Sequence, residues 1–158
     1  MASELHNLQS ALGAAWLKRQ GFAIVATELI ALGCAEQADV VGFRSSCSVV
    51  IESKVSRSDF AADSKKNHRI SGGLGLYRFY ICPPDMIHQE ELPARWGLLY
   101  ADGRKVIEVV RPRGNVWPGY ETRLPHWDEF KHEPDYVAER NVLFSISRRL
   151  ASGKPILK

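Results

Sequence analysis

Cysteine is scarce in this chain: Cys34, Cys47 and Cys82 are the only three in 158 residues, and none stands in a CxxC pair. An odd, scattered set argues against a disulfide framework and against a structural zinc site. No run approaches the roughly 18 consecutive apolar residues of a membrane span. Met1 to Ser10 also lacks the layout of a signal peptide, so the expected compartment is the cytoplasm, with no membrane partner. Net charge is low, at +3, and assigns no partner by itself. Arg outnumbers Lys 13 to 8, a mild lean toward phosphate contacts, because a guanidinium binds phosphate as a bidentate fork. The five histidines are dispersed and none has ligand spacing. There is no internal repeat and no composition break. With 45% hydrophobic residues the whole of 1–158 reads as one domain, large enough for a real core.

Leu5, Leu8, Leu12, Ala15, Trp16 and Phe22 recur at helical spacing, with Ser3 as N-cap and Gly21 as stop. Phe22 to Leu29 suits a first strand, and 38–44 with 48–55 suit a hairpin. Ser56 or Ser58 then caps a short helix to Lys66. Asn67 to Gly75 has no periodicity and reads as a flexible loop. Tyr77 to Cys82 alternates as a half-buried strand closed by Pro83 and Pro84. Residues 96–100 and 105–110 flank a hairpin turn at Ala101 to Arg104. The segment 111–135 carries four prolines and little pattern, and Val137 to Leu150 reads as a closing helix. The order of helix, three strands, helix and further strands predicts an α/β fold, with helices flanking a mixed central sheet.

One triplet stands out. Glu52 and Lys54 lie in the β-branched run Val49 to Val55, and Asp39 lies on the preceding strand. Side chains alternate along a strand, so Glu52 and Lys54 share one face while Val49, Ile51 and Val55 share the other. Ionisable groups in such a run are costly unless paired or bound to a metal. Asp63-Ser64-Lys65 and Glu129-Phe130-Lys131 repeat the acid-x-lysine pattern. The first is in a polar helical stretch, where an acid near a lysine is usually a solvated face. The second is in a loop-like segment.

The Asp39…Glu52-x-Lys54 spacing resembles the signature of the PD-(D/E)xK nuclease superfamily. More narrowly, several segments resemble the MmcB-like DNA repair family and related phage proteins: ThrGluLeu (27–29), AlaAspVal (38–40), GluSerLysValSerArgSerAspPhe (52–60), AlaAspSerLysLys (62–66), TyrArgPheTyr (77–80) and GlyLeuLeuTyrAlaAspGly (97–103). The likeness spans residues 22 to 110. It implies a restriction-endonuclease-like αβββαβ core over about 3–110, with a Pro-rich segment and closing helix at 111–158. It implies Mg²⁺ or Mn²⁺ as the cofactor and DNA as substrate. Asp39 and Glu52 would be metal ligands with the Ser53 carbonyl as a third, and Lys54 would be the water and phosphate partner. Glu28 matches an upstream acid of the family, whereas Glu4 holds the first-helix position where many superfamily members place a metal-site glutamate; either could complete the site. Ala38 stands where the superfamily name has Pro, and 64–69 stands where the narrower family tends to hold an Arg-Lys-Trp type segment.

The expected function is a metal-dependent DNA endonuclease in repair, recombination or phage DNA metabolism. A homodimer would be needed to cut both strands, and no small-molecule cofactor beyond the metal is implied. The alternative is a DNA- or partner-binding module that keeps the fold without turnover. Ser56, Arg57 and Ser58 read either as a phosphate grip at a helix N-terminus or as plain capping. Asp59 and Asp63 suit the helix dipole. Lys65, Lys66, His68 and Arg69 read either as a basic loop tracking a DNA backbone or as a solvated face. Trp16 and Trp96 read as core. Trp117 and Trp127 could stack on bases, with packing under a long loop the simpler reading.

Overall fold

The computed structural model describes residues 3–66, 69 and 73–158. Helix α1 (Glu4–Arg19) starts at Ser3, whose side chain accepts from His6 N–H, and ends at Gly21, where φ is +92°. Strands β1 (Ile24–Thr27), β2 (Val40–Phe43) and β3 (Ser48–Ser53) form an antiparallel meander. Helix α2 (Arg57–Asp63) then crosses to β4 (Tyr77–Cys82), parallel to β3. A single 3₁₀ turn (Gln89–Glu91) precedes β5 (Trp96–Asp102), parallel to β4, and β6 (Lys105–Val110) closes a hairpin on β5. Helices α3 (Pro125–Asp128) and α4 (Tyr136–Ala151) complete the chain. The six strands lie in sequence order, so the fold is α/β with helices around one mixed sheet. The expected elements form with trimmed ends, and α3 is an addition. Its start at Pro125 is chemically natural, since proline at the first helical position forfeits no hydrogen bond.

Both faces of β3 are covered. Val49 and Ile51 join a cluster with Ala14, Trp16 and Leu17 of α1 and with Phe79, Trp117 and Trp127. Val50 faces the other way, toward Leu74 and toward Ala138, Val142 and Ile146 of α4. Trp117 is fully buried, and its ring meets those of Phe22, Tyr77 and Trp127 edge-on at 5.0–5.4 Å. Trp117 and Trp127 therefore pack the core and offer no face to a base; truncating such a tryptophan costs about 3–5 kcal/mol. Gly97 is needed for the same packing, because a Cβ there would sit 2.3 Å from the Phe79 ring. Of the expected loop, 67, 68 and 70–72 lie outside the described residues, His68 among them. Among the described residues no helix is long and apolar enough to cross a membrane.

Candidate functional site

Strand register builds the site. Val40 pairs with Ile51, so one step along places Asp39 beside Glu52; Thr27 pairs with Val40, so one step along places Glu28 beside Asp39. The Glu28 N–H donates to the Asp39 carbonyl at 3.0 Å, continuing that ladder. Glu52 in turn pairs with Tyr80 across the parallel β3–β4 join. Three carboxylate residues thus follow one another across three neighbouring strand ends. Glu28 holds φ +48°, an uncommon backbone for a residue with a side chain.

Around Glu52 the charges are buried and densely paired. Glu52, Lys54 and Asp63 are 3%, 2% and 1% exposed. Lys54 Nζ donates to Asp63 at 2.9 Å and lies 4.0 Å from Glu52 and from Asp59. Arg69 Nε donates to Asp63 at 2.8 Å, and its terminal nitrogens reach Glu36 at 2.6 Å and Glu52 at 3.3 Å. Tyr80 Oη donates to Asp63 at 2.6 Å, and Lys66 Nζ lies 3.2 Å from Asp63 and 4.0 Å from Glu52. Burial alone would raise the Asp63 pKa, but hydrogen bonds from Arg69, Tyr80 and Lys54 hold it well below the usual carboxylate range. Glu52 has no such donor set. Burial, then the nearby Asp39 charge, push its pKa up to about 8 in spite of Arg69 and Lys54. Its Oε1 is buried with no hydrogen-bond partner.

Asp39 faces a different setting. Its Oδ2 accepts from Ser53 N–H at 2.8 Å and its Oδ1 lies 3.0 Å from His6 Nε2. His6 Nδ1 lies 3.7 Å from Glu28 Oε1. Ser53 Oγ donates to Gln9 Oε1 at 2.6 Å, locking α1 to β3 beside the carboxylates. His6, Glu28 and Asp39 line a cleft of about 450 Å³ with Ser3, Gln37, Val55 and Asp59. One ligand atom from each of His6, Glu28 and Asp39 lies within 4.8 Å of the others, close enough to share an ion.

Some expected residues thus converge and others do not. Asp39, Glu52, Lys54, Ser53 and Glu28 gather at one end of the sheet. Glu4 is exposed in the first turn of α1 and is not part of the His6–Glu28–Asp39 grouping. Arg69 differs from the expected solvent-exposed basic loop: it is turned inward onto three carboxylates and stacked over Trp96 at 5.1 Å. Asp63 is likewise the buried hub of the network, where a solvated helix face was expected. Ser56 is the N-cap of α2, accepting from Asp59 N–H, with Ser58 Oγ 3.1 Å away. Arg57 is 60% exposed and forks onto Glu91 at 2.5 and 2.7 Å. Lys65 and Lys66 are exposed, with the Lys66 ammonium turned onto Asp63.

His6, Gln9 and Glu36 were missed as site residues. A signal existed for the first two: they extend, at helical spacing, the stripe that continues through Ser10 and Gly13 and buries α1. Glu36 precedes β2 in an irregular segment, and nothing local marks it.

No family model and no curated protein matches the chain. A solved structure does. It is a protein of unknown function from Silicibacter pomeroyi, with a TM-score of 0.61 and 25% identity, covering 96% of this chain and 92% of that one. The likeness carries the α/β fold over nearly the whole length.

Proposed function

We propose that this chain is a metal-dependent DNA endonuclease, hydrolysing phosphodiester bonds at the sheet end that carries Asp39, Glu52 and Lys54. A role in DNA repair, recombination or phage DNA metabolism goes with that reading. The observation that supports it best is the pairing of Asp39 and Glu52 across β2 and β3, with Lys54 two residues beyond and Glu52 Oε1 buried without a partner.

The residues fit a divalent cation. A buried carboxylate oxygen without a donor is unfavourable, and an ion relieves it. Mg²⁺ and Mn²⁺ take such oxygens readily. Asp39 and Glu52 would hold the ion, which would supply Lewis acidity and positive charge at the phosphoryl group. The chain's own contribution is the fixed ammonium of Lys54. Asp63 takes one of its three N–H donors, Tyr80 and Arg69 hold Asp63 in place, and the remaining donors are oriented in a site sheltered from water. Charge held this way needs little reorganisation as charge develops on a phosphate. Lys65 is exposed and can meet a DNA backbone, whereas Lys66 and Arg57, though solvent-accessible, already pair with Asp63 and Glu91 and would have to exchange those partners for phosphate.

One observation favours the second reading, a DNA- or partner-binding module without turnover. Lys54 Nζ is enclosed by Asp63, Glu52 and Asp59, so a phosphate must compete with three carboxylates to reach it. Cleavage of a panel of labelled duplex, nicked, branched and single-stranded DNA, with and without Mg²⁺ or Mn²⁺, separates the two. The nuclease reading requires metal-dependent cutting that Lys54→Ala abolishes while DNA affinity stays within a few-fold. A Lys54→Ala protein that cuts at the wild-type rate, or a wild type that binds but never cuts, favours the module.

A further inference from the structure

We infer that His6, Glu28 and Asp39 form a second cation position at the cleft, one that prefers a borderline ion such as Zn²⁺ or Co²⁺ over Mg²⁺. It shares Asp39 with the nuclease reading but needs no catalysis. Three observations carry it. First, the ligand atoms come from three separate elements, α1, the end of β1 and the start of β2, yet lie within 4.8 Å of one another. Two ligands of one zinc ion, each bound at about 2.0–2.2 Å, can stand no more than roughly 4.4 Å apart, so only a small adjustment closes the set. Second, the atoms are under-partnered. His6 Nδ1 is buried with no hydrogen-bond partner 3.7 Å from Glu28 Oε1, while Nε2 faces Asp39 Oδ1 at 3.0 Å, so the adjustment that closes the set is a turn of the ring that brings one nitrogen onto an ion shared by both carboxylates. Two electron-rich groups facing each other at 3.7 Å lack the cation or proton that would join them. Third, the trio lines an open cleft of about 450 Å³, so an ion can enter and keep solvent ligands.

The donor chemistry selects the ion. Imidazole nitrogen suits zinc, cobalt, nickel and copper, whereas Mg²⁺ prefers oxygen and is reluctant to lose its waters. One nitrogen and two carboxylates leave open coordination positions, unlike a closed structural zinc site. Glu52 lies on the far side of Asp39, and the ligands expected there, Asp39, Glu52 and the Ser53 carbonyl, offer oxygen alone, the nearby nitrogens of Arg69, Lys54 and Lys66 being cationic. The two positions therefore differ in kind, one all-oxygen and buried, the other nitrogen-containing and open.

Titrating the full chain with Co²⁺ while following its visible absorption tests this. We expect one equivalent to bind with a ligand-field band, displaced by Zn²⁺ but not by a tenfold excess of Mg²⁺ over Co²⁺. Loss of the partners of metal ligands costs about 10–100-fold in affinity, so loss of a ligand in His6→Ala or His6→Gln should weaken Co²⁺ at least that far, with circular dichroism unchanged. In the wild type, Zn²⁺ should also move the ring nitrogen resonances of His6, a reading that needs no variant. Absence of Co²⁺ binding, equal competition by Mg²⁺, or wild-type affinity in both variants overturns the inference. The outcome is separable from the nuclease test. Co²⁺ held through His6 by a protein that cuts nothing leaves this site standing alone, and Mg²⁺-dependent cutting without His6-dependent Co²⁺ binding leaves the nuclease alone.

Discussion

The two sides of Asp39 handle charge in opposite ways. On the inner side, Glu36, Glu52 and Asp63 meet Lys54, Lys66 and Arg69, three anions against three cations, with Tyr80 donating to the hub. On the outer side, the charged or ring partner of Glu28 and Asp39 is His6, beside a cleft, with the Ser53 N–H also donating to Asp39. Burial and pairing both separate the two: the side chains of Glu36, Glu52 and Asp63 are 1–4% exposed among several cations, whereas those of Glu28 and Asp39 are 24% and 19% exposed beside one imidazole. A buried charge with its partners is architecture, since breaking the set leaves isolated charges in a dry place. A charge short of partners beside open volume is where a ligand gains most. Glu52 belongs to the inner side by position, yet one of its oxygens is unpartnered, which makes it the link between the two.

The contrast breaks most sharply at Asp63. Asp63→Ala removes the closest anion from Lys54, one of three carboxylates from Arg69 and the acceptor of the Tyr80 hydroxyl at once, and we expect a loss of about 3–5 kcal/mol in denaturant unfolding. A loss below about 1 kcal/mol would mean that the inner network relaxes onto water and is not structural. Next comes pH. The Glu52 pKa is near 8 in the folded chain and about 4.5 unfolded, so the folded state holds that proton more tightly. Its stabilising contribution is complete below pH 4.5 and is lost as pH rises to 8, by up to about 4–5 kcal/mol at 1.36 kcal/mol per unit. The same unfolding series on Glu52→Gln should lack this component, and a wild-type curve flat from pH 5 to 8 removes the argument.

How much of this was legible is uneven, for physical reasons. Capping residues, the strand at 77–82, the turn at Gly103 and the Asp39…Glu52-x-Lys54 spacing are local, and a sequence records local chemistry directly; the half-buried alternation expected for 77–82 does not hold, since all six residues are buried between clusters on both faces. Register then did the rest for Asp39 and Glu52, which are joined by one hairpin. Asp63 was not legible, because an acid in the last turn of a polar helix looks the same whether it faces water or a buried lysine. Arg69 read as solvated since its partners, Glu36 and Glu52, are far away along the chain and its stacking partner Trp96 farther still. His6 carries no ligand spacing, and only α1 docking on the sheet brings it to Asp39, 33 positions on.

A smaller effect is expected on the outer side. Asp39→Ala frees one backbone N–H of Ser53 and the His6 ring, at about 1–2 kcal/mol, and should abolish Mn²⁺ binding in calorimetric titration with the fold intact by circular dichroism. Equal Mn²⁺ heats in wild type and variant would show that Asp39 holds no ion. The smallest change comes from two solvent-accessible lysines, one of which, Lys66, sits at the rim of the inner network. Lys65→Ala with Lys66→Ala should weaken DNA binding and lower the slope of log affinity against log salt by at most about two units, near 0.9 per phosphate contact. A slope equal to wild type would place both lysines on a surface that DNA does not touch.

The strand order β1 to β6 is also a timetable. Every neighbouring pair in the sheet is consecutive in sequence; β2 and β3 are joined by the short segment 44–47 and β1 and β2 by the longer segment 28–39, and closure entropy grows only slowly with such lengths. Those three strands bring Glu28, Asp39 and Glu52 side by side before the chain has supplied Lys66, Arg69 or Tyr80, which arrive only with the α2 crossover and β4. A sheet limited to those three strands would carry a line of mutually repelling acids at one end. Protons or divalent cations in the medium can quiet that repulsion, so the same ions that suit the finished site can also act as escorts while it is being assembled.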